Sequence, residues 1–427
     1  MALTGPELAK AAEASAEWLA DRVLVAPDSL PIGARLRSTR LRASASPRLP
    51  VSASAVRRSL LVAFLTAICL FDGSGLQAYR TREAAAPYAF NLLDWEFRQV
   101  GSRLGGLALA LRGEQRPADD LDAATVRSYF QASAAVRASL RDGAGAAIER
   151  LVTDVWRSEE LAVPSALAGG EPTVFPPVSF TFTAPPQVLI VSLRDRIEVQ
   201  RYVLLRPDLS PQDVALAEDE AATRDTSTLV TPVGGLATYP SMVPDSGSAE
   251  ASLAAVAHEW VHAYFFFHPL GRAYWADQAM RTINETAAEL AGNELGARLA
   301  RQLGFPTDPS RLTPGSPAAL SPRQIELNTS MRQTRLEVDR LLALGRVTEA
   351  EQYMEQRRLE LNALGFGIRR LNQAYFAFYG SYAESPAGSS PLAAEVRSLR
   401  DRSASLGDFL RAIARVSRPG DLAGLGV

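Results

Sequence analysis

The sequence predicts an α+β fold that is mostly α-helical. It combines a small mixed or antiparallel sheet, an edge strand ahead of a histidine-bearing helix, and a helical C-terminal lobe. Three observations predict it. Apolar residues recur at three-to-four spacing from Tyr79 to about Ala168 and again beyond Asn293, the period of an amphipathic helix. Between these stretches, residues 187–191 and 197–205 are short β-rich runs, with Arg194-Asp195-Arg196 as the turn that pairs them. Finally, 47% of the 427 residues are hydrophobic, enough for a well-formed core in two or three domains or one large bilobed one.

Taken in order, residues 1–56 are rich in Ala, Ser, Arg and Pro and read as a flexible extension, apart from a short helix at 7–23. Arg57-Arg58 then precede a thirteen-residue apolar run, Ser59 to Phe71, closed by Asp72-Gly73-Ser74-Gly75. A bilayer span needs about 20 residues, whereas basic residues before a short apolar core are the pattern of a signal peptide. Residues 57–78 are therefore read as a signal peptide or membrane anchor, with a buried helix of a soluble protein as the alternative. In either membrane reading the remainder of the chain faces away from the cytoplasm.

Residues 79–168 form the expected helical N-terminal lobe, with helical periods over 88–113 and 125–161. Pro and Gly break 164–186 into a linker with short strands. Ser210-Pro211 supplies an N-cap and a first-turn proline for a helix over 210–224. Residues 228–239 read as a strand interrupted at Gly234-Gly235, and Gly235 to Pro240 is the expected edge strand. These elements belong to an α+β region at 169–310. In the helical lobe at 311–427, residues 323–345 and 348–364 form an amphipathic pair, with Gly345 ending the first helix. An aromatic-rich segment at 371–382 and a closing helix over 405–416 complete it.

Composition excludes several function classes. With 45 basic against 47 acidic residues the net charge is -2, so no nucleic-acid or other polyanion partner is implied. The lone Cys69 rules out an intramolecular disulfide and any cysteine-based zinc site. There is no P-loop and no G-x-G-x-x-G after a strand.

The chemistry-bearing motif is His258-Glu259-Trp260-Val261-His262, an H-E-x-x-H that holds two of the three histidines in the chain. On a helix, positions i and i+4 share a face, so both imidazoles can point at one metal. Glu259 lies one residue round, where it can take a proton from a metal-activated water. A catalytic zinc usually keeps a third protein ligand. His268 has the spacing of the longer H-E-x-x-H-x-x-G-x-x-H motif, but Phe265 occupies the helix-breaking Gly position. On a continued helix His268 would lie about 15 Å along the axis from His258, out of reach. The competing candidates are Glu285 and Glu289, spaced i, i+4 in a second apolar helical segment. One carboxylate can bind the metal and the other can accept a ring N–H from a ligand histidine.

His258-Glu259-x-x-His262 followed by Asn284-Glu285-x-x-Ala288-Glu289 resembles the gluzincin metallopeptidases, whose pattern is H-E-x-x-H and then N-E-x-x-S/A-D. Within them it is most similar to bacterial aminopeptidase-like members with N-E-x-x-A. The resemblance covers about 258–289. It implies a Zn2+ ion held by His258, His262 and Glu285, with Glu259 as general base. Asn284 and Glu289 would stand behind the ligands. It also implies an oxyanion-stabilising residue from the C-terminal helices, for which Tyr379 and Tyr382 are the candidates. Two features depart from the pattern. Glu289 stands where Asp is commoner, and there is no G-x-M-E-N element to hold a substrate amino terminus, so exopeptidase activity is not implied.

The expected function is therefore a zinc metallopeptidase acting on a peptide or protein substrate. Two rival readings remain: a membrane-anchored scaffold with structural zinc, and a zinc hydrolase of non-peptide substrates.

Overall fold

The computed structural model describes residues 76–99, 112, 116–164, 170–245, 247–312, 321–380 and 391–425. The readings of residues 1–75, and of Tyr382, lie outside these residues. The architecture is α+β and mostly helical, with three small sheets of two or three strands. Among the described residues no helix is long and apolar enough to cross a membrane.

The chain opens with α1 (Leu76–Ala85), a helical stretch over 92–99, α2 (Asp120–Gln131) and α3 (Ala134–Ser158). Asp119 caps α2 through a reciprocal capping box with Asp122, which satisfies two backbone donors at the helix start. Three short strands follow: β1 (Ala162–Pro164), β2 (Pro172–Val174) and β3 (Phe180–Phe182). The expected hairpin is present as β4 (Gln187–Leu193) and β5 (Val199–Leu205), paired antiparallel with Ile190 opposite Tyr202. Next come α4 (Pro211–Ala221) and β6 (Thr226–Pro232), and Ser210 caps α4 as its Ser-Pro start predicts. The main sheet runs β5-β4-β6, all antiparallel. Its central strand is buried on both faces, which explains the unbroken apolar run Val188-Leu189-Ile190-Val191. Leu189 packs with α1 and α4, while Val188 and Ile190 pack under Ala374 and Phe378.

The strand expected over 228–239 stops at Pro232. Gly235 to Pro240 is not an edge strand. It folds back as a closed loop in which Leu236 and Met242 exchange both backbone hydrogen bonds, at 3.0 and 2.9 Å. Pro240 has no N–H to give a ladder, and Thr238 and Ser241 bond within the loop instead. The strand immediately before the histidine-bearing helix is β7 (Ser241–Val243), fully buried and parallel to β3. The outer edge of β6 is also closed. Glu218 accepts from the Val230 N–H at 2.6 Å, Arg369 donates to the Val230 carbonyl at 2.8 Å, and Asn372 donates to the Thr228 carbonyl at 2.9 Å. An added peptide strand would have to displace these three bonds.

Two long helices form the centre. α5 (Ala249–Phe266) carries the H-E-x-x-H, and α7 (Gln278–Gln302) carries Asn284-Glu285. The short α6 (Pro269–Arg272) lies between them. Both long helices are buried nearly all round, as helices in the middle of a core are, and α7 buries polar as well as apolar side chains. Their axes approach closely because Gly292 and Gly296 face Ala254. A Cβ at Gly296 would lie 2.6 Å from the Ala254 nitrogen, and one at Gly292 would lie 2.7 Å from the Ala254 oxygen. On its other side α5 packs against α3, where Trp260 stacks on Trp156 with ring centroids 4.7 Å apart and donates to the Pro176 carbonyl at 2.8 Å.

The C-terminal part contains α8 (Pro322–Ala343), α9 (Val347–Ala363), α10 (Gln373–Tyr379), α11 (Leu392–Arg402) and α12 (Leu406–Ile413). α8 and α9 are the expected amphipathic pair, and Gly345 takes the left-handed conformation (φ +70°) that ends the first. With α10 they enclose a small core of their own around Met331, Val338 and Met354. α11 and α12 instead join the main core with α2, α3, α5 and α7. The buried Arg400 of α11 reaches Glu294 of α7 in a two-pronged ion pair, both contacts 2.9 Å. Packing thus connects regions that lie far apart in the sequence.

Two outcomes test this packing. Gly296→Ala gains helix propensity worth about 1 kcal/mol, but the new methyl overlaps Ala254, at the ~1–3 kcal/mol cost of overpacking. A net loss of stability is expected in denaturant unfolding, and an unchanged or higher midpoint would show that the two helices have room to part. The second concerns Glu96, which is 1% exposed, with burial pushing its carboxyl from 4.5 up to about 7. A raised acid favours the folded state while protonated. Its contribution is full below about 4.5 and is lost as pH rises through about 7. Glu96→Gln is therefore expected to raise the melting temperature at pH 8 and change it little at pH 4. Equal shifts at both values would remove Glu96 as the cause.

Candidate metal centre

The close crossing of α5 and α7 brings His258, His262 and Glu285 to one point. The two Nε2 atoms are 3.0 Å apart, and Glu285 Oε2 lies 3.4 Å from that of His262 and 3.7 Å from that of His258. Three ligands on a tetrahedral ion with bonds of about 2.0–2.1 Å would be separated by about 3.4 Å. The donor set thus has the spacing of three corners of a small tetrahedral site. It is the one such group of His, Cys, Asp or Glu found among the described residues.

The groups behind these atoms fix their direction. His262 Nδ1 lies 2.8 Å from Asn284 Oδ1, and His258 is hydrogen-bonded to the backbone of Ala288. With the Nδ1 protons directed outward, both Nε2 lone pairs face the same space. Tyr274 donates to Glu285 Oε1. That leaves Glu285 Oε2, buried and without a hydrogen-bond partner, turned towards the imidazoles. Three acceptor lone pairs aimed at one point in a buried site repel one another unless a proton or a metal ion lies between them.

The proton affinities follow from this crowding. Burial pushes His258 down to about 4, and the neighbouring His262 adds to the effect. Burial also disfavours charge on His262, but the Glu285 carboxylate outweighs it and raises His262 to about 9. Glu285 is opposed by burial as well, yet the two histidines and the Tyr274 hydroxyl hold it below the usual carboxylate range. Burial raises Glu259 to about 8, partly offset by His262. In the metal-free site a single proton on His262 therefore partly supplies the positive charge that the donors call for.

Glu259 is 6% exposed and is pressed by the loop after β6. A Cβ on Gly235 would lie 2.2 Å from Glu259 Oε1, so a larger residue here would displace this carboxylate. The closed loop at 235–240, expected as a strand, instead supplies a wall for this carboxylate.

The remaining expected residues are placed as follows. His268 lies away from the trio, at the N-cap of α6 with its ring 4.4 Å from that of Tyr264. Glu289 is half-buried on α7, one turn beyond Glu285, while the ring hydrogen bonds of the two histidines are made to Asn284 and to the Ala288 backbone. Tyr379, offered as an oxyanion donor, does not join the trio. Its hydroxyl is 2.6 Å from Thr231 Oγ1 on β6, and its ring packs on Tyr375 and Phe378. The aromatic segment there is core, covering the main sheet.

Sequence reasoning missed Tyr274 and Gly235. Tyr274 sits in the connection between the two site helices, the kind of loop in which functional residues concentrate. Its position beside Trp275 was the available signal. Comparison with protein-family models, curated proteins and solved structures found no match.

Tyr274→Phe removes the bond that turns Glu285 towards the histidines. Loss of such an outer partner typically costs about 10- to 100-fold in metal affinity. That decrease is expected in a zinc titration against a competing chelator, and an unaltered affinity would show that Tyr274 does not orient the carboxylate.

Proposed function

We propose that the chain is a zinc-dependent metallopeptidase whose site is of the gluzincin type. The observation that carries this reading is the convergence of His258, His262 and Glu285 from two crossing helices, with the buried Glu259 beside them. A three-ligand donor set leaves one tetrahedral position for water or substrate, whereas a structural zinc is closed by four protein ligands. The motif resemblance over 258–289 supports peptide bonds as the substrate.

When bound, zinc supplies a water of pKa near 7 and polarises the scissile carbonyl. The protein's own groups do the rest. Asn284 and the Ala288 backbone hold the imidazoles in the tautomer that offers Nε2. Tyr274 holds Glu285 in the orientation that offers Oε2. Glu259 accepts a proton from the attacking water and passes it to the leaving amine as the bond breaks. Burial alone favours its protonated form near neutral pH, and the charge of a bound zinc would lower that affinity towards the range of a working base.

Glu259→Gln is expected to keep about one zinc per chain, as a mononuclear site requires, and to lose at least ~100-fold in kcat on a peptide library, the usual scale for a general base. Glu285→Ala should lose both zinc and activity, and His268→Ala should retain both. Full activity in the Glu259 variant, with zinc measured by elemental analysis, would sink the mechanism.

A further inference from the structure

One turn before Glu285 on α7 is Arg281, 6% exposed. Its guanidinium carbon lies over three aromatic rings, 5.2 Å from the Tyr202 centroid, 5.3 Å from Trp275 and 5.7 Å from Tyr274. Its Nη1 donates to the neutral amide of Gln278 at 2.8 Å, and its Nε is buried with no hydrogen-bond partner. Among the described residues it makes no ion pair. The other buried arginine among the described residues, Arg400, is paired with Glu294, and the buried Glu218 is paired with Arg369 and Arg370. Of the acids four residues away on either side, Asp277 accepts from the Met280 N–H at the helix N-cap, and Glu285 is engaged by Tyr274 and faces the two histidines.

A buried guanidinium is costly unless an anion meets it, and faces of aromatic rings compensate only in part. Its fork of N–H groups matches a carboxylate. Tyr274 ties the two features together, since its ring contacts Arg281 and its hydroxyl holds Glu285. An anion on Arg281 would therefore lie about one tyrosine side chain from the metal-ligand carboxylate. Trp275, itself 50% exposed, is the outer wall of the cage and the side from which a ligand can enter.

We propose that Arg281, framed by Tyr202, Tyr274 and Trp275, is a carboxylate-binding subsite that holds an anionic group of the substrate beside the metal centre. It rests on the metallopeptidase reading for its role in substrate choice, but not for the binding itself. The carboxylate belongs either to a peptide C-terminus or to an acidic side chain. In both cases the guanidinium fixes one end of the substrate while the reacting carbonyl lies towards Glu259.

The test uses the full chain with chelator present, so that a carboxylate has no metal to bind. N-acetylphenylalanine, N-acetylphenylalanine amide and N-acetylaspartate amide are titrated by calorimetry or NMR. Discrimination of at least tenfold for a free acid over the wholly amidated probe is expected. The phenylalanine acid reports a C-terminal carboxylate and the aspartate amide a side chain. Arg281→Gln should bring the ratio close to one, and Arg281→Lys, which keeps charge but not the fork, should leave it intermediate. Thermal unfolding checks that both variants fold, and the wild-type comparison stands without them. Equal binding of acid and amide by the wild type, or full discrimination in a folded Arg281→Gln, overturns the subsite. With zinc restored, kcat/KM on free-acid and amidated peptides should show the same preference, carried mainly in KM. If no peptide is cleaved while the metal-free discrimination persists, the peptidase reading fails and the subsite stands.

Discussion

The close approach of two helices is the constraint on which the rest depends. Gly292 and Gly296 present bare backbone to Ala254, and the resulting crossing is tighter than side chains would allow. Imidazole and carboxylate side chains are short, so donors from different helices meet only if the axes are near. A wider crossing would leave Glu285 short of the histidines and Asn284 short of His262. The small residues along α7, including Ala287, Ala288 and Ala291, serve the same end, and their burial leaves little slack in the core.

This arrangement determines the electrostatics. Glu259, Glu285, His258 and His262 are enclosed by apolar packing, so each charge is felt strongly by its neighbours. Glu285 is kept ionised by the histidines, Glu259 is pushed towards the protonated form by burial, and the imidazoles are pushed apart in affinity. Two carboxylates in one small site thus behave differently because one faces the ring nitrogens and the other faces a loop backbone at Gly235.

Much of this was legible in the sequence because it is local. The i, i+4 pairs place side chains on one helical face, the Ser-Pro pair marks the start of α4, and Gly345 marks the end of α8. The hairpin of β4 and β5 follows from two β-rich runs and a charged turn. What was not legible depends on contacts distant in sequence. The segment 235–240 has the composition of a strand, but its backbone bonds go to Met242, and the outer edge of β6 is engaged by Glu218, Arg369 and Asn372 while the chain at 88–90 pairs with the end of β5. Tyr379 has the chemistry of an oxyanion donor, yet α10 lies across the sheet and gives its hydroxyl to Thr231. Neither the role of Tyr274 nor the isolation of Arg281 can be read from spacing, since each is defined by what surrounds it in space.

The three converging lone pairs have a further consequence, for the lifetime of the protein. A metal ion bound there would relieve their mutual repulsion, and occupancy of the centre would then add to folding stability in proportion to the logarithm of free metal over its dissociation constant. The donors come from the two helices on which the main core is built, and a loss there is felt by the whole fold rather than by a peripheral loop. Copies without metal would in that case spend more time open and be more exposed to degradation. The abundance of the chain in a cell would then follow metal supply, with the same residues acting as ligands and as a check on correct loading.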